Sequence, residues 1–196
     1  MTGTFIVFEG PDGCGTTLHT KMLADNLGED FEVLTTFEPT DGPIGRQIRT
    51  ILHSGEELSP GPLQELFTKD RAWHLEQIIK PALNEGKIVI TDRYLQSTIA
   101  YGQALGLPLE WLKDLNKDFI QPDMIFLLLP PYEVCADRMG RRDKLDSLEK
   151  ESIQHKVYDS YRALAEEDSS IHVIDSSGKK EEVSDEIYSI VQKLSE

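Results

Sequence analysis

The feature that most constrains the fold is a glycine-rich segment near the start of the chain. Residues 8–17 read FEGPDGCGTT and follow the apolar run TFIVF, which predicts a buried strand over residues 4–8. Glycines at positions 10, 13 and 15 allow positive φ angles, so that successive backbone N–H groups point inward and can bind an anion. The helix predicted to begin near Thr16 adds its free N-terminal amides. Strand, glycine loop and helix in this order predict a phosphate-binding loop.

The loop departs from the usual phosphate-binding motif at one position. Thr16 follows Gly15 where that motif has a lysine, whereas Thr17 keeps the hydroxyl that ligates magnesium. The helix after the loop has a regular apolar face, at Leu18, Met22 or Leu23, and Leu27. We therefore interpret Thr16 as a substitution in register rather than a shift of the loop. Taken alone, the segment is also compatible with a tight glycine turn that binds nothing.

Length, charge and cysteine content restrict the classes of protein to which the chain can belong. The chain has 196 residues, enough for one domain with a substantial core, and a formal net charge of −15. That charge, without any basic stripe, argues against a nucleic-acid-binding surface. Cys14 and Cys135 lie far apart without metal-binding spacing, which predicts two reduced, unpaired thiols. No signal peptide, transmembrane run or lipidation motif is visible, so we expect a cytoplasmic soluble protein without membrane contact.

Apolar strands alternate with helical segments along the chain. The predicted strands span residues 4–8, 31–36, 87–91, 123–129 and 171–175. Helices are predicted near residues 16–27, 43–53, 62–85, 94–105, 109–116, 131–140, 147–167 and 180–194. This alternation indicates an α/β fold with a mainly parallel sheet covered by helices on both faces. In such folds ligands bind at the carboxyl ends of the strands, where the glycine loop lies.

A second polar site follows the strand predicted over residues 87–91. Asp92 and Arg93 come directly after that strand, at the sheet edge where the glycine loop also emerges. Asp92 can hold a magnesium-bound water, and Arg93 can bind a phosphate. An isolated Asp-Arg pair at a strand end is commonly a surface ion pair, but its position beside the loop favours a functional role.

Together these segments resemble the thymidylate kinase family, whose members phosphorylate dTMP with ATP. The matching motifs follow the family order along nearly the whole chain. They are Phe8-Glu9-Gly10-Pro11-Asp12-Gly13, Glu38-Pro39 with Gly45 and Arg49, Leu66-Phe67 with Asp70-Arg71, Asp92-Arg93-Tyr94 with Ser97-Thr98 and Ala100-Tyr101, and residues 138–149. The resemblance implies a P-loop NTPase fold like that of nucleoside monophosphate kinases, with a five-stranded parallel sheet. It also implies one domain over residues 1–196, a lid near residues 138–149, and a homodimer to which the helix at 62–85 could contribute.

The resemblance assigns the dTMP pocket to residues from several parts of the chain. Phe67 would stack on the thymine and Arg71 would hydrogen-bond its carbonyl edge, although the residues alone allow Phe67 to be a core side chain equally well. Arg49 and Arg93 would hold the monophosphate, since arginine binds phosphate in a bidentate manner. Tyr101 would crowd the sugar and disfavour a ribose 2′-hydroxyl. The other implied dTMP contacts are Glu38, Pro39, Ser97 and Thr98.

The resemblance assigns ATP and Mg²⁺ to the glycine loop and its neighbours. The loop residues implied to bind ATP are Gly10, Pro11, Asp12, Gly13, Cys14, Gly15, Thr16 and Thr17. Thr17 and Asp92 would ligate Mg²⁺. Arg138 would pack near the adenine or the phosphates.

Four charged residues form the implied catalytic set. Asp12 and Arg93 would orient the acceptor phosphate, while Arg141 and Arg142 of the lid would stabilise charge on the transferred phosphoryl group. Phosphoryl transfer depends mainly on positioning, magnesium and positive charge. Without the loop lysine, the site lacks a charge-assisted hydrogen bond of about 1.5–3 kcal/mol, or roughly 10- to 150-fold in rate or affinity.

Three further departures from the family pattern affect the implied site. Phe37 stands where many bacterial members have arginine, Gly102 follows the site tyrosine, and Ser147-Leu148 replaces an arginine-aromatic pair. The first and third remove basic charge near the phosphates, whereas the second touches the base-recognition side. Two alternatives therefore stay open: a catalytically silent dTMP-binding protein, and a nucleoside monophosphate kinase with another base preference.

Overall fold

A parallel β-sheet forms the centre of the protein. The computed structural model describes residues 2–54, 59–141 and 146–193. The strands are β1 (Thr4–Glu9), β2 (Val33–Phe37), β3 (Ile88–Asp92), β4 (Met124–Leu128) and β5 (Ile171–Ile174). All neighbouring strands are parallel, in the order β2-β3-β1-β4-β5. The predicted α/β class with a five-stranded parallel sheet is confirmed.

Helices cover both faces of the sheet. They are α1 (Thr16–Leu27), α2 (Pro43–His53), α3 (Pro60–His74), α4 (Lys80–Asn84), α5 (Leu95–Ala104), α6 (Leu109–Asn116), α7 (Tyr132–Gly140), α8 (Glu151–Glu167) and α9 (Lys180–Gln192). A π-helical segment, Leu75–Ile79, joins α3 to α4, so that the helix predicted over 62–85 is continuous but not uniformly α-helical. Within the described ranges, no helix is both long and apolar enough to cross a membrane.

Strand β1 shows how the sheet is buried on both sides. Ile6 and Phe8 pack into a cluster with side chains of α1 and α9, and both are fully buried. Phe5 and Val7 point to the opposite face and pack with the π-helical segment and α4. Successive side chains of a strand alternate between its two faces, so a continuous apolar run is what a strand buried on both faces requires.

The position of β1 in the middle of the sheet decides where the glycine loop emerges. Phe8 is paired with Asp92 of β3 on one side and with Phe126 of β4 on the other. The loop that follows β1 therefore lies directly beside Asp92 and Arg93. Sites at this carboxyl edge of an open parallel sheet are the usual ligand sites of α/β folds.

Two predictions for the first helix and the second strand are corrected. β2 begins at Val33 rather than at residue 31, because Phe31 donates its backbone N–H to the Leu27 carbonyl and still belongs to the turn that ends α1. Leu18 is 43% exposed and is not part of the buried face of α1. The buried side chains of α1 are Thr16, His19, Thr20, Leu23 and Leu27. This buried face carries polar side chains in the first turn, which an apolar pattern does not detect.

The start of α8 also differs from the prediction. The helix predicted over 147–167 begins at Glu151. Before it, the Asp146 carboxylate accepts the backbone N–H groups of Leu148 and Glu149, at 2.7 and 3.1 Å. An aspartate that bonds the backbone in this way forms a turn and delays the helix.

Candidate functional site

The glycine-rich loop has the backbone geometry predicted from its sequence. Gly10, Gly13 and Gly15 have φ angles of 152°, 83° and 100°. At Gly13 a Cβ atom would lie 2.5 Å from the Cys135 carbonyl oxygen, so a side chain would not fit there. Helix α1 begins at Thr16 and adds its free N-terminal amides to those of the loop. The loop can therefore bind an anion such as a phosphate.

The positive charge beside the loop comes from arginine side chains that lie outside the loop segment. Thr16, at the lysine position, is 6% exposed. Arg93 donates a hydrogen bond to the Gly10 carbonyl at 3.0 Å. Arg138 donates to two further loop carbonyl groups at 3.3 Å each. Two guanidinium groups thus lie against the loop, although both are occupied with backbone oxygens.

Thr17 and Asp92, both predicted metal ligands, lie together at the edge of the loop. Thr17 Oγ1 donates to Asp92 Oδ2 at 2.5 Å. Asp92 Oδ1 is buried and has no hydrogen-bond partner among the residues that the structure describes. A hydroxyl beside a carboxylate with a spare oxygen fits Mg²⁺, which prefers oxygen ligands and keeps several waters. These two residues could therefore hold the ion.

Arg93 connects the glycine loop to the cavity described below. Its φ angle is 75°, which is uncommon for a residue other than glycine, and its N–H donates to the Phe8 carbonyl at 2.8 Å. The guanidinium donates to Asp12 Oδ1 at 2.6 Å and lies 5.3 Å from the centre of the Tyr101 ring. Strained backbone of this kind persists where its surroundings enforce it, and it clusters at functional sites.

Asp12 lies at the centre of a polar cluster. Its carboxylate accepts hydrogen bonds from Arg93, from the Tyr101 hydroxyl at 2.7 Å and from Gln154 Nε2 at 2.7 Å. Gln154 is fully buried and also donates to the Leu148 carbonyl at 3.0 Å. Gln154 was not predicted as a site residue, because a glutamine inside a helix carries no motif signal.

Glu9 forms a second, fully buried polar cluster. It accepts the backbone N–H groups of Tyr94 and Ser97, the Ser97 hydroxyl at 2.6 Å and the Tyr161 hydroxyl at 2.8 Å. Burial raises the pKa of Glu9, and its hydrogen bonds and the charge of Arg93 only partly offset that effect. Burial also raises the pKa of Tyr161, so its hydroxyl remains a hydrogen-bond donor. Glu9 was predicted only as part of a motif, and Tyr161 was not predicted as a site residue.

A cavity opens beside these clusters and gathers most of the predicted substrate residues. The predicted residues that line it are Asp12, Glu38, Pro39, Phe67, Arg71, Arg93, Ser97, Thr98 and Tyr101. Leu52, Gln64, Asp146 and Leu148 also line it and were not predicted. The cavity therefore combines an aromatic ring and apolar side chains with guanidinium, carboxylate and hydroxyl groups. Such a wall suits a ligand with a flat ring and an anionic group.

Arg71 is fixed in the cavity wall by a complete set of acceptors. It is 1% exposed, and Glu38 Oε2 accepts two of its N–H groups at 3.0 and 2.8 Å. The other three are donated to Thr98 Oγ1, Asn116 Oδ1 and the Tyr94 carbonyl. These bonds use all five donors of a guanidinium. The orientation of Arg71 is therefore set by the protein itself.

Three of the predicted arginines are not among the residues that line the cavity, and a fourth lies outside the described residues. Arg49 donates to the Pro39 carbonyl at 2.6 Å, which puts it at the rim. Arg138 contacts the glycine loop, as described above. The Arg141 side chain is 75% exposed and pairs with an aspartate one turn earlier on α7. Arg142 lies outside the described residues.

The structure also places the three departures from the family pattern. A Cβ atom on Gly102 would lie 2.4 Å from Leu112 Cδ2, so this position faces α6. The expectation that Gly102 touches the base-recognition side is therefore corrected. Leu148 is 5% exposed and lines the cavity. Phe37, at the end of β2, is 43% exposed.

The two cysteines are free thiols, as predicted. Both are buried, and burial raises the pKa of Cys14 and raises that of Cys135 to about 11. They are therefore protonated near neutral pH and serve as small core side chains.

Known proteins resemble this chain over nearly its whole length. A model of the thymidylate kinase family matches residues 8–187. A protein named probable thymidylate kinase from Thermococcus kodakarensis is 38% identical over 202 residues, which cover 97% of this chain and 98% of that protein. A protein of the same name from Pyrococcus abyssi is 38% identical over 199 residues, covering 98% and 97%. A protein named thymidylate kinase from Exiguobacterium sibiricum is 34% identical over 197 residues, covering 95% and 93%.

Proposed function

The chain belongs to the thymidylate kinase family, and from that premise we propose that it transfers the γ-phosphoryl group of ATP to dTMP. The products are ADP and dTDP, and dTDP serves dTTP synthesis. One observation supports this proposal above the others: Arg93 and Asp12 belong both to the surroundings of the glycine loop and to the cavity wall. A donor phosphate on the loop and an acceptor phosphate in the cavity would meet at these two residues.

On the donor side, the loop amides and the Thr16 and Thr17 hydroxyls would bind the ATP phosphates. Thr17 and Asp92 would hold Mg²⁺, which neutralises charge on the phosphate oxygens when bound. Arg138 would lie against the adenine or the phosphates, since its guanidinium already contacts the loop. The orphan Asp92 oxygen supports this assignment, because a buried carboxylate oxygen without a partner is unfavourable unless a ligand supplies one.

On the acceptor side, Phe67 would stack on the thymine, and Arg71 would hydrogen-bond its carbonyl edge by sharing an N–H group that now bonds Thr98. Arg93 would hold the monophosphate from within the cavity and Arg49 from its rim. Asp12 would keep the Arg93 guanidinium oriented toward that phosphate, since the two side chains form a 2.6 Å ion pair. The remaining proposed contacts are Glu38, Pro39, Ser97 and Tyr101, with Tyr101 crowding the sugar.

We further propose a single domain whose lid, near residues 138–149, brings Arg141 and Arg142 to the transferred phosphoryl group. The exposure of Arg141 is compatible with a side chain that acts only when the lid closes over ATP. Family resemblance supports a homodimer that works in the cytoplasm.

A second candidate function follows from Thr16. Without the loop lysine, the protein could bind dTMP and ATP yet transfer the phosphoryl group slowly or not at all. Positive charge focused on the transition state is the main catalytic device in this chemistry, and the two guanidinium groups at the loop are bonded to backbone oxygens. Whether the protein is an active kinase or a silent dTMP-binding homologue therefore depends on whether another group replaces the charge that Thr16 lacks.

The decisive experiment compares the native protein with Thr16→Lys in a coupled ADP-release assay with Mg²⁺, ATP and dTMP. We expect native turnover, and an increase in kcat of about 10- to 150-fold in Thr16→Lys, the value of one charge-assisted hydrogen bond. Native binding of dTMP without turnover, with activity restored by Thr16→Lys, would favour the silent homologue. Calorimetry with dTMP, dUMP and dCMP tests base preference in parallel, and absence of any dTMP binding would contradict both candidates.

A further inference from the structure

Gln64 has a buried side-chain amide in the cavity wall that forms no hydrogen bond within the part of the chain that the structure describes. It lies on α3, is 0% exposed and lines the cavity. Neither Oε1 nor Nε2 has a partner among the described residues. A primary amide can form four hydrogen bonds, and burying it without any is destabilising. Because buried polar groups are almost always paired, this one requires an explanation.

The position of Gln64 on α3 puts it beside two proposed dTMP-binding residues. It precedes Phe67 by one turn, and Arg71 follows Phe67 by one turn, so the three side chains lie on the same face of the helix. With a rise of about 1.5 Å per residue, Gln64 and Arg71 flank Phe67 at roughly 4.5 and 6 Å along the helix axis. A flat ring stacked on Phe67 would therefore lie within reach of both Gln64 and Arg71.

Two charged residues of the cavity wall, Arg71 and Glu38, already have protein partners. All five N–H groups of Arg71 are donated to protein acceptors. Glu38 accepts two of them and also contacts His74 at 3.1 Å. Among the described residues with orphan buried side-chain atoms, Gln64 is the one that lines this cavity. It therefore offers a hydrogen-bond donor and an acceptor that a bound base could use at no cost to other bonds.

We propose that the side-chain amide of Gln64 contacts the substrate and hydrogen-bonds the imide edge of the pyrimidine, a contact that rests on the proposed dTMP site. Nε2–H donates to a ring carbonyl oxygen, and Oε1 accepts the N3–H proton. A carboxamide and an imide present complementary donor and acceptor pairs at the same spacing, as in the glutamine contacts made with base edges elsewhere. Gln64 is thus a specificity-determining residue, and its missing partners in the ligand-free protein are supplied by the base.

The test uses an apolar variant of similar length, Gln64→Met, with Gln96→Met as the matched control. Gln96 is also buried and has an orphan Oε1, but it does not line the cavity. We expect Gln64→Met to raise the KM for dTMP by about 3- to 10-fold, the value of one to two neutral hydrogen bonds, with little change in kcat. Removal of an unpaired buried amide should leave the ligand-free Tm unchanged or raise it by about 2–4 °C. Gln96→Met should keep the native KM.

The contact with the base is tested with dTMP methylated at N3, which cannot donate that proton. Methylation should weaken binding to the native protein more than to Gln64→Met, since the variant has no acceptor to lose. An unchanged KM in Gln64→Met, or equal effects of methylation on both proteins, would overturn the inference while leaving the dTMP kinase proposal intact. A fall in Tm that accompanies the rise in KM would also overturn it, because it would indicate a structural role. Failure of the native protein to bind dTMP would overturn both.

Discussion

At the scale of single residues, the site depends on how Arg93 is held. Its backbone is in a conformation that few non-glycine residues adopt, and its guanidinium bridges the Gly10 carbonyl and the Asp12 carboxylate. This arrangement needs a planar group with several fixed donors. A lysine ammonium carries a point charge on a flexible stem and cannot satisfy both acceptors in one geometry.

Arg93→Lys tests this requirement for geometry rather than charge. Both residues have the same backbone restrictions, so the variant should fold. We expect kcat/KM for dTMP to fall on the order of 10²-fold, because the proposed donor to the reacting phosphate would lose its preorganised geometry. Steady-state kinetics provide the measurement, with Arg162→Lys as a control, since the Arg162 side chain is 60% exposed in a surface ion pair. Activity within about three-fold of native would mean that charge alone suffices at this position.

At the scale of secondary-structure elements, the contact of α5 with α6 depends on a glycine. Gly102 lies on α5 where Leu112 of α6 packs directly against its backbone. A side chain there would have to share space with a fully buried leucine. The position therefore matters for helix packing, whereas the residues of α5 that line the cavity are Ser97, Thr98 and Tyr101.

Gly102→Ala should destabilise the protein by about 1–3 kcal/mol, the usual cost of overpacking a core. Its KM for dTMP should stay close to native, because position 102 does not line the cavity. Gly61→Ala is the matched control on α3, where an added Cβ would meet no atom within 4 Å. That substitution should change stability by less than about 0.5 kcal/mol, because position 61 lies in the first turn of α3 and precedes Pro62, which offsets the gain in helix propensity. Urea unfolding measures both effects, and equal stabilities of the two variants would contradict this account of the α5–α6 contact.

At the scale of the whole molecule, a buried cluster joins elements that are far apart in the chain. Glu9 at the end of β1 accepts hydrogen bonds from Ser97 of α5 and Tyr161 of α8. The Tyr161 hydroxyl also lies 2.8 Å from the Ser97 hydroxyl. The same helices carry Gln154 and Tyr101, which bond Asp12. The central strand β1 and the helices α5 and α8 are therefore held together by polar contacts as well as by apolar packing.

Tyr161→Phe should lower the free energy of unfolding by about 1–3 kcal/mol, because it leaves the buried Glu9 with one donor fewer. Tyr158→Phe, one turn earlier on α8 at a half-buried position, should change stability by less than about 0.5 kcal/mol. Chemical unfolding followed by circular dichroism gives both values. Similar small effects for the two variants would show that apolar packing alone connects α8 to the sheet.

The accuracy of prediction from sequence differs among the residues of the site. The glycine loop, Thr17 and the Asp92-Arg93 pair were identified because each lies in a short motif at the end of a strand. Gln64, Gln154 and Tyr161 were missed, since each is a single polar residue inside a helix. Whether such a residue lies in the cavity, in the core or at the surface depends on which face of the helix is turned inward. The Leu18 error in α1 has the same origin.

The sequence by itself determined the order of strands and helices along the chain and the conformation of the glycine loop. Burial patterns, glycine φ angles and helix starts depend on neighbouring residues, so they can be predicted locally. Only the tertiary structure decided which charges meet. Asp12 and Arg93 are 81 positions apart and Glu9 and Tyr161 are 152 apart, and they meet because parallel strands bring their carboxyl ends to one edge while helices pack over that edge. Contacts of this kind depend on the packing of layers, which no local pattern encodes.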